Sequence, residues 1–375
     1  MAQLGKRIFE DPRLSASGAQ SCASCHENDR AFSGNNHPAD PLFPVSIGAF
    51  PDLVGTRNTP SAMYMAFSPS FTFIEDEGEY IPLGGQFRDG RAATLFEQAK
   101  GPFLNSSEMA MPSKAAVVSQ IQRGPYEALF RSVFGRDAFR DVDKAFDNMA
   151  KAIEAFERTR DFAPFSSKFD NVLRGTARFS AQEERGFKLF KDPEKGNCLA
   201  CHSGDPDSRD PKDWLFTDFS YDNLGVPRNP EIPANSDPEF FDLGICDHPD
   251  ILSKVPAAAG DAEELMASLC GAFKVPTLRN VVETAPYFHN GRFDTLDQVV
   301  LFYVTRDTNP ESWYPKGADG TLHKFDDLPP EYVDNVNTGE APYDRQPGEQ
   351  PRLDQQEIRD VVAFLRTLSD GYRGR

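Results

Sequence analysis

A Cys-x-x-Cys-His motif occurs twice in this chain, at positions 22–26 and 198–202. The motif is the attachment signature of c-type haem: two cysteines form thioether bonds to the porphyrin edge, and the adjacent histidine reaches the iron as its proximal ligand. A zinc site could use the same residue types, but structural zinc takes four ligands and one motif supplies only three. We therefore predict two covalently bound haems. The residues that would hold them are Cys22, Cys25 and His26 in the first half and Cys198, Cys201 and His202 in the second.

Two further segments recur in the same order around the motifs, which indicates a duplication. Gly-Lys-Arg-Ile-Phe-Glu-Asp-Pro at 5–12 precedes the first motif, and Gly-Phe-Lys-Leu-Phe-Lys-Asp-Pro at 186–193 precedes the second. Arg-Asp-Gly-Arg-Ala-Ala-Thr-Leu at 88–95 matches His-Asn-Gly-Arg-Phe-Asp-Thr-Leu at 289–296. The predicted fold is mainly α and loop-rich, with two cytochrome-c-like haem domains. Their predicted bounds are residues 1–165 and residues 166–375.

Each half is predicted to close with an amphipathic helix, because apolar residues recur at helical spacing over 141–160 and again over 354–368. The segments 204–270 and 306–352 are rich in Pro, Asp and Gly and lack such periodicity. We expect both of these segments to form long surface excursions.

The bulk composition excludes two classes of protein. No apolar run approaches the roughly 18–20 residues that cross a bilayer, so we expect a soluble protein without a membrane span. The net charge of −18 disfavours nucleic acid as a partner, because neutralising phosphates requires clustered Lys and Arg. An acidic chain instead fits a basic or dipolar partner that is attracted electrostatically.

The cysteines favour a location outside the cytoplasm, where c-type haems are normally attached. Met1–Leu4 leads directly into a charged helix, and we expect a periplasmic protein whose signal peptide has been removed. In that compartment Cys246 and Cys270, which lie outside both motifs, could form a disulfide. We favour this bond, although sequence separation does not determine the Cα distance and the two thiols could remain unpaired.

The second repeated segment helps to locate the opposite face of each iron, which controls haem reactivity. Counting fourteen residues on from His289 reaches Tyr303, within an apolar stretch, whereas counting fourteen on from its counterpart Arg88 reaches Pro102. A tyrosine oxygen can bind iron, and a proline has no donor atom. We therefore predict that Tyr303 closes the second haem and that the first is open to peroxide or oxygen. The alternative for Tyr303 is an ordinary core aromatic.

Chemistry on peroxide also needs a group that moves a proton between its two oxygens. Glu108 lies six residues past Pro102 and is the candidate acid/base. Gln98, one helical turn before Pro102, could donate a hydrogen bond. The alternative for Glu108 and Gln98 is an ordinary place on the surface.

With these residues identified, the whole chain resembles the bacterial di-haem cytochrome c peroxidases, and in particular their MauG-like branch. The resemblance rests on both haem motifs and on five further segments. These are Gly-Thr-Arg-Asn-Thr-Pro at 55–60, Asp-Gly-Arg-Ala at 89–92, Glu-Met at 108–109, Val-Pro-Thr-Leu-Arg-Asn at 275–280 and Ala-Pro-Tyr-Phe-His-Asn-Gly at 285–291.

The resemblance implies that Glu108 cleaves peroxide as acid and base, with Gln98 and Pro102 lining the distal pocket. It also implies a calcium ion between the domains, for which oxygen ligands are suited. The implied calcium ligands are the side chain of Asn58 and the carbonyl groups of Thr284 and Pro286.

Two features favour the MauG-like branch. Ordinary members carry methionine at the position of Tyr303, and an anionic oxygen ligand instead favours oxidised iron. Ordinary members also carry a histidine that caps the first iron until the enzyme is reduced, and residues 40–56 contain none. His37 is interpreted as a surface-loop residue, with a displaced cap as the alternative. We expect a first haem that needs no reductive activation.

Two positions depart from the family pattern. Arg88 stands where the family usually has a tryptophan between the haems, so electron transfer must use another route, or Arg88 hydrogen-bonds a propionate. Residues 195–197 are Lys-Gly-Asn, where the MauG-like enzyme presents a tryptophan for oxidation of a protein partner. This second departure weakens the expectation of a protein substrate.

The leading hypothesis is a periplasmic peroxidase. Hydrogen peroxide reacts at the first haem, oxidising equivalents are stored across both haems, and a small redox protein or an organic electron donor removes them. One alternative is MauG-like oxidation of a partner protein's side chains. An alternative of a different class is a non-catalytic di-haem electron carrier, which would require both irons to be six-coordinate. The distal carboxylate disfavours a purely structural role in which the haem only stabilises the fold.

Overall fold

The computed structural model describes residues 1–374, and helices joined by long irregular segments dominate it. The mainly α prediction is confirmed. The α-helices are Ala2–Phe9 (α1), Cys22–Cys25 (α2), Leu95–Gln98 (α3), Gly101–Leu104 (α4), Lys114–Gln122 (α5), Glu127–Phe134 (α6), Val142–Glu157 (α7), Lys168–Leu173 (α8), Ala181–Lys191 (α9), Pro249–Leu252 (α10), Ala262–Ser268 (α11), Leu296–Thr305 (α12) and Gln355–Leu365 (α13). Two antiparallel pairs of strands accompany them, Thr72–Asp76 (β1) with Glu79–Leu83 (β2) and Tyr221–Asp222 (β3) with Phe273–Lys274 (β4).

The two helices predicted from periodicity form close to their expected bounds. Asp141 caps α7 by accepting a hydrogen bond from the backbone of Lys144, and Asp354 caps α13 within a reciprocal capping box. Such caps satisfy backbone donors that have no partner inside the helix. Helix α13 ends at Leu365 and a 3₁₀ turn continues to Leu368, so the apolar pattern extends one turn beyond the α-helix.

The same helix crossing occurs in each half of the chain. Helix α1 packs on α7, and α9 packs on α13. A Cβ added at Gly5 would lie 1.8 Å from the carbonyl oxygen of Ala152, and one added at Gly186 would lie 1.9 Å from the carbonyl oxygen of Asp360. Only glycine permits backbones to approach this closely. Both of these glycines open the first repeated segment found in the sequence.

The second repeated segment also has one conformation in both halves. An isolated bridge joins Gln86 to Ala92, and an equivalent bridge joins Tyr287 to Phe293. The threonine that follows each bridge, Thr94 or Thr295, caps the next helix through its side chain. The repeat therefore places the starts of α3 and α12 in equivalent local settings.

Four apolar clusters form the core. The largest draws its buried members from residues 4–165, and the second draws them from residues 169–368. A smaller cluster joins Phe71 and Phe73 near the β1–β2 hairpin to Ile245 and Ile251. The hairpin thus packs against a segment that is distant in sequence.

Segment 204–270 is mostly irregular, although β3, α10 and α11 lie within it, and it does not lie on the surface throughout. Phe216, Ile245 and Ile251 are completely buried within it. Single apolar side chains in a loop can enter a core without producing any periodicity, so the sequence pattern missed them. The predicted disulfide between Cys246 and Cys270 is confirmed, with a Cα–Cα distance of 5.0 Å.

Within residues 1–374, no helix has both the length and the apolar character that crossing a membrane requires.

Candidate active site

A cavity of about 570 Å³ adjoins the first Cys-x-x-Cys-His motif. Cys22, Cys25 and His26 form part of its wall, and the predicted distal residues form another part. Those distal residues are Gln98, Pro102 and Glu108. The structure therefore brings together all six residues that the sequence assigned to the first haem.

The donor groups in this wall fit a haem. The Nδ1 atom of His26 lies 2.8 Å from the carbonyl oxygen of Phe32, which fixes the ring and leaves Nε2 available for iron. Burial lowers the pKa of His26, which favours the neutral ligand form. Burial raises the pKa of the Cys22 thiol, which favours its neutral form. Among residues 1–374, no three His, Cys, Asp or Glu side chains converge as metal ligands.

The carboxyl group of Glu108 is held in place by its own turn. Asn105, at the end of α4, donates a 2.6 Å hydrogen bond from Nδ2 to Oε1 of Glu108. Within the described residues Oε2 accepts no hydrogen bond. Burial raises the pKa of Glu108, and the charge of Arg91 and the bond from Asn105 oppose this shift. A carboxyl group in this setting is suited to taking up and releasing a proton.

Sequence reasoning missed the groups that surround Glu108 at the mouth of this cavity. Asn105, Arg91 and His248 line a further opening together with Glu108. Arg91 belongs to the repeated segment, so the motif itself contained a signal. Asn105 lies three residues before Glu108, but nothing in the pattern marked it. His248 comes from the aperiodic segment after β3, and its place could not be read from the sequence.

A buried carboxylate binds two arginines and a histidine beside this mouth. Asp89 is completely buried, and Arg57, Arg91 and His248 all bind its Oδ2 atom, the last at 2.5 Å. Burial opposes ionisation, but the hydrogen bond with His248 and the charges of the two arginines hold the pKa of Asp89 well below its usual range. Asp89 therefore ties the segment after β3 to the first half of the chain.

His37 lies away from the first cavity wall. Its ring packs against Phe43 in a tilted arrangement, with centroids 4.7 Å apart, and its Nδ1 atom accepts a 2.8 Å hydrogen bond from the backbone of Asp40. This arrangement agrees with the interpretation of His37 as a loop residue.

A second cavity, of about 210 Å³, adjoins the second motif. Cys198, Cys201, His202 and Tyr303 all line it. The Nδ1 atom of His202 lies 3.1 Å from the carbonyl oxygen of Pro276, which again leaves Nε2 available. These contacts repeat the fit of a haem at the first motif.

Tyr303 lies on α12 and its hydroxyl group has no hydrogen-bond partner among residues 1–374. Burial raises the pKa of Tyr303, so the phenol stays neutral unless a strong Lewis acid binds its oxygen. Phe288 and Tyr343 lie beside its ring, with centroids 5.8 Å and 6.4 Å away. Tyr343 was not identified from the sequence.

Arg88 and Lys274 line both cavities. Arg88 donates hydrogen bonds to the backbone oxygen of Asn58 at 2.7 Å and to its side-chain Oδ1 at 2.6 Å. Its guanidinium has no carboxylate partner among the described residues. The Arg88 guanidinium suits an anionic group such as a haem propionate. Burial lowers the pKa of Lys274 to about 7, so an anion bound beside it would favour its charged form.

The three residues implied for calcium also line the first cavity. In the described part of the chain, the carbonyl oxygens of Thr284 and Pro286 accept no hydrogen bonds, so they fit a hard cation. The Oδ1 atom of Asn58 already accepts from Arg88. It has a second lone pair, but a calcium ion would have to bind next to a guanidinium.

Glu157 is a further buried group in the first cavity, and the sequence analysis did not identify it. It ends α7 with 7% of its surface exposed, and its Oε2 atom has no hydrogen-bond partner. Burial, reinforced by the charge of Glu154, raises the pKa of Glu157 to about 8.

Comparison with known proteins gives one consistent result. Residues 1–178 match a family model described as di-haem cytochrome c peroxidase. The methylamine utilization protein MauG of Paracoccus denitrificans is 37% identical, over 99% of this chain and 88% of its own length. The cytochrome c551 peroxidase of Nitrosomonas europaea is 32% identical, over 80% of this chain and 71% of its own length.

The fold agrees with these matches. The crystal structure of the diheme peroxidase BthA from Burkholderia thailandensis superposes with a TM-score of 0.89 and 40% identity, covering 99% of this chain and 86% of that one.

Proposed function

Because this chain belongs to the family of di-haem cytochrome c peroxidases and MauG proteins, we propose that it reduces hydrogen peroxide at its first haem. Family membership itself makes it a two-haem oxidoreductase that acts with peroxide. One observation carries the assignment to the first haem. The cavity beside His26 contains the carboxyl group of Glu108 and has Pro102 at the position that corresponds to Tyr303.

Glu108 is the group to which we assign proton transfer. A bound haem would supply the iron that takes the peroxide and stores its oxidising equivalents. The Glu108 carboxylate accepts the proton of the inner peroxide oxygen and returns it to the outer oxygen, which leaves as water. Asn105 holds Oε1, so Oε2 is free for this exchange. Gln98 lines the same wall and donates a hydrogen bond to the peroxide.

We propose that Tyr303 would hold the iron of the other haem together with His202. Its unpartnered hydroxyl group and its place in the wall beside His202 support this role. A haem held by both residues would supply a store for one oxidising equivalent, and its iron would offer no free site to peroxide. A small redox protein or an organic donor then returns the electrons, and the acidic chain favours a basic donor surface.

We also propose that the chain consists of two haem domains, 1–165 and 166–375, related by duplication. The matching helix crossings at Gly5 and Gly186 support this, as do the separate core clusters. A periplasmic location is proposed from the c-type motifs, and the disulfide is consistent with an oxidising compartment.

A calcium ion between the domains is proposed on the free carbonyl oxygens of Thr284 and Pro286. Asn58 would complete the protein ligands, and water would fill the remaining positions. The guanidinium of Arg88 weighs against this site, since it already occupies one lone pair of the Asn58 side chain.

Oxidation of a partner protein is the second candidate function. The 37% identity to MauG over nearly the whole chain favours it. Lys195, Gly196 and Asn197 provide no oxidisable side chain before the second motif, which is why the peroxidase remains our first proposal.

Two measurements test the proposed function. Cyanide added to the ferric protein should change the spectrum of one haem, whereas a lack of change at both haems would support the electron carrier. One equivalent of peroxide should then oxidise both irons, and near-infrared and Mössbauer spectroscopy would detect this oxidation. A protein that does not react with peroxide would contradict the proposal.

A further inference from the structure

Tyr343 lies next to the proposed axial ligand and is not used by the reaction described above. Its ring is nearly parallel to that of Tyr303, with an angle of 29° and a centroid distance of 6.4 Å. Tyr343 is 5% exposed, and both tyrosines line the second cavity. A second phenol therefore lies beside the first, in the wall of the same cavity.

A proton acceptor is already positioned for Tyr343. Its hydroxyl group donates a 3.0 Å hydrogen bond to Oδ2 of Asp222, on β3. Asn337 donates 3.4 Å and 3.3 Å hydrogen bonds to the same carboxylate oxygen and to the Tyr343 hydroxyl. A phenol must lose its proton to be oxidised to a neutral radical, so a hydrogen-bonded carboxylate lowers the barrier to that oxidation.

The loop that carries Tyr343 connects the second motif to the surface. Asn197, the residue before Cys198, donates a 3.1 Å hydrogen bond to the carbonyl oxygen of Ala341. Glu340 and residues 346–350 on either side of Tyr343 are exposed. Tyr343 is thus one residue layer below the surface, within electron-transfer reach of a donor bound there.

The other aromatic side chains near Tyr303 lack this combination. Phe288 has no dissociable proton and is hard to oxidise. Trp313 packs on Phe302, but its indole N–H donates to the hydroxyl of Thr305, which is a poor proton acceptor. Tyr343 is the one that pairs an oxidisable ring with a carboxylate.

We propose that Tyr343 is the redox-active side chain through which external electrons reach the oxidised second haem, with Asp222 as its proton acceptor. Tyr343 gives one electron to the oxidised second haem and its phenolic proton to Asp222, which leaves a neutral phenoxyl radical. A one-electron donor at the surface reduces the radical, and Asp222 returns the proton. This inference rests on the proposed function, because peroxide supplies the oxidant.

The experiment compares the parent protein with Tyr343→Phe and Asp222→Asn. Each holoprotein receives one equivalent of peroxide without donor, and the decay of the oxidised haems is followed by near-infrared absorption, in H₂O and D₂O, with EPR of frozen samples. Tyr314→Phe is the matched control, since this buried tyrosine donates to the backbone oxygen of Gly225 and has no carboxylate acceptor. Trp313→Phe tests whether electrons reach the second haem through Trp313 instead.

We expect Tyr343→Phe to lose the tyrosyl EPR signal and to prolong the oxidised state several-fold, with its rate of formation unchanged. Asp222→Asn should slow the decay similarly and abolish its solvent isotope effect. Decay of Tyr343→Phe at the parental rate, or equal slowing in Tyr314→Phe, would refute the inference while leaving the proposed function intact. If the parent protein forms no oxidised state, both the inference and the proposed function are refuted. Circular dichroism and haem absorption verify that each variant is folded.

Discussion

Replacing Gly186 with alanine should destabilise the second half of the chain, and Gly5→Ala should do the same to the first half. The Cβ added at Gly186 would lie 1.9 Å from the carbonyl oxygen of Asp360, and the one added at Gly5 would lie 1.8 Å from the carbonyl oxygen of Ala152. Carbon–oxygen contacts normally begin near 3.3 Å, so the helices must separate by about 1.4 Å. Overpacking of this kind costs typically 1–3 kcal/mol or more, and alanine regains about 1 kcal/mol of helix propensity.

The severe overlap places the cost near the upper end of this range, about 3 kcal/mol, which leaves a net loss of about 2 kcal/mol in the free energy of unfolding. This loss corresponds to a fall of about 4–8 °C in Tm for a domain of this size. Differential scanning calorimetry of the holoproteins measures it. Gly339→Ala is the control, because nothing lies within 4 Å of a Cβ at that exposed position. A Tm for Gly186→Ala equal to or above that of the control would refute the close-packing argument. Haem absorption adds a functional readout, since Gly186→Ala should perturb the second haem and Gly5→Ala the first.

Four further outcomes follow from the site. Glu108→Gln should slow oxidation by peroxide about 10²–10⁴-fold in stopped-flow absorption, which is the usual size of a general acid–base contribution. An unchanged rate would contradict the assignment of proton transfer to Glu108. Tyr303→Phe should open the second iron, so that cyanide changes both haem spectra. Chelation by EGTA should slow electron transfer between the haems, and added calcium should restore it; no effect would contradict the calcium proposal. Burial raises the pKa of Glu157 to about 8. Its protonated form therefore adds to the folding stability at low pH, and this contribution is lost as pH rises from about 4 to 8. Urea unfolding should show that the parent protein loses up to roughly 1.4 kcal/mol per pH unit from this group between pH 5 and pH 8, and that Glu157→Gln does not.

The repeats made most of the first haem site predictable. Each haem motif fixes its attachment residues by local spacing, and comparison of the halves directed attention to Pro102 and Tyr303. Glu108 followed from its distance to Pro102 along the chain. The predicted residues line the two cavities because each lies within one turn or one helix of a recognisable segment.

The rest of the site depends on contacts between distant segments. His248 reaches Asp89 across 159 residues, and Tyr343 reaches Asp222 across 121 residues. Both histidine and tyrosine lie in aperiodic stretches that are positioned by the packing of single apolar side chains, such as Ile245 and Ile251. No local spacing rule encodes such contacts, so one sequence could not reveal them.

The asymmetry between the two haem sites has a local physical cause. The bridged turn and its threonine cap are the same in both halves, and each starts a helix. In the second half α12 runs unbroken to Thr305 and carries Tyr303 to the cavity. In the first half the equivalent position is Pro102, which has no N–H and whose ring would clash with the carbonyl group of Gln98 in a continuous helix. Helix α3 therefore ends at Gln98 and α4 begins at Gly101. A single proline thus places a residue without a donor atom where the second half has Tyr303, and it ends a helix before Asn105 and Glu108, which line the same cavity.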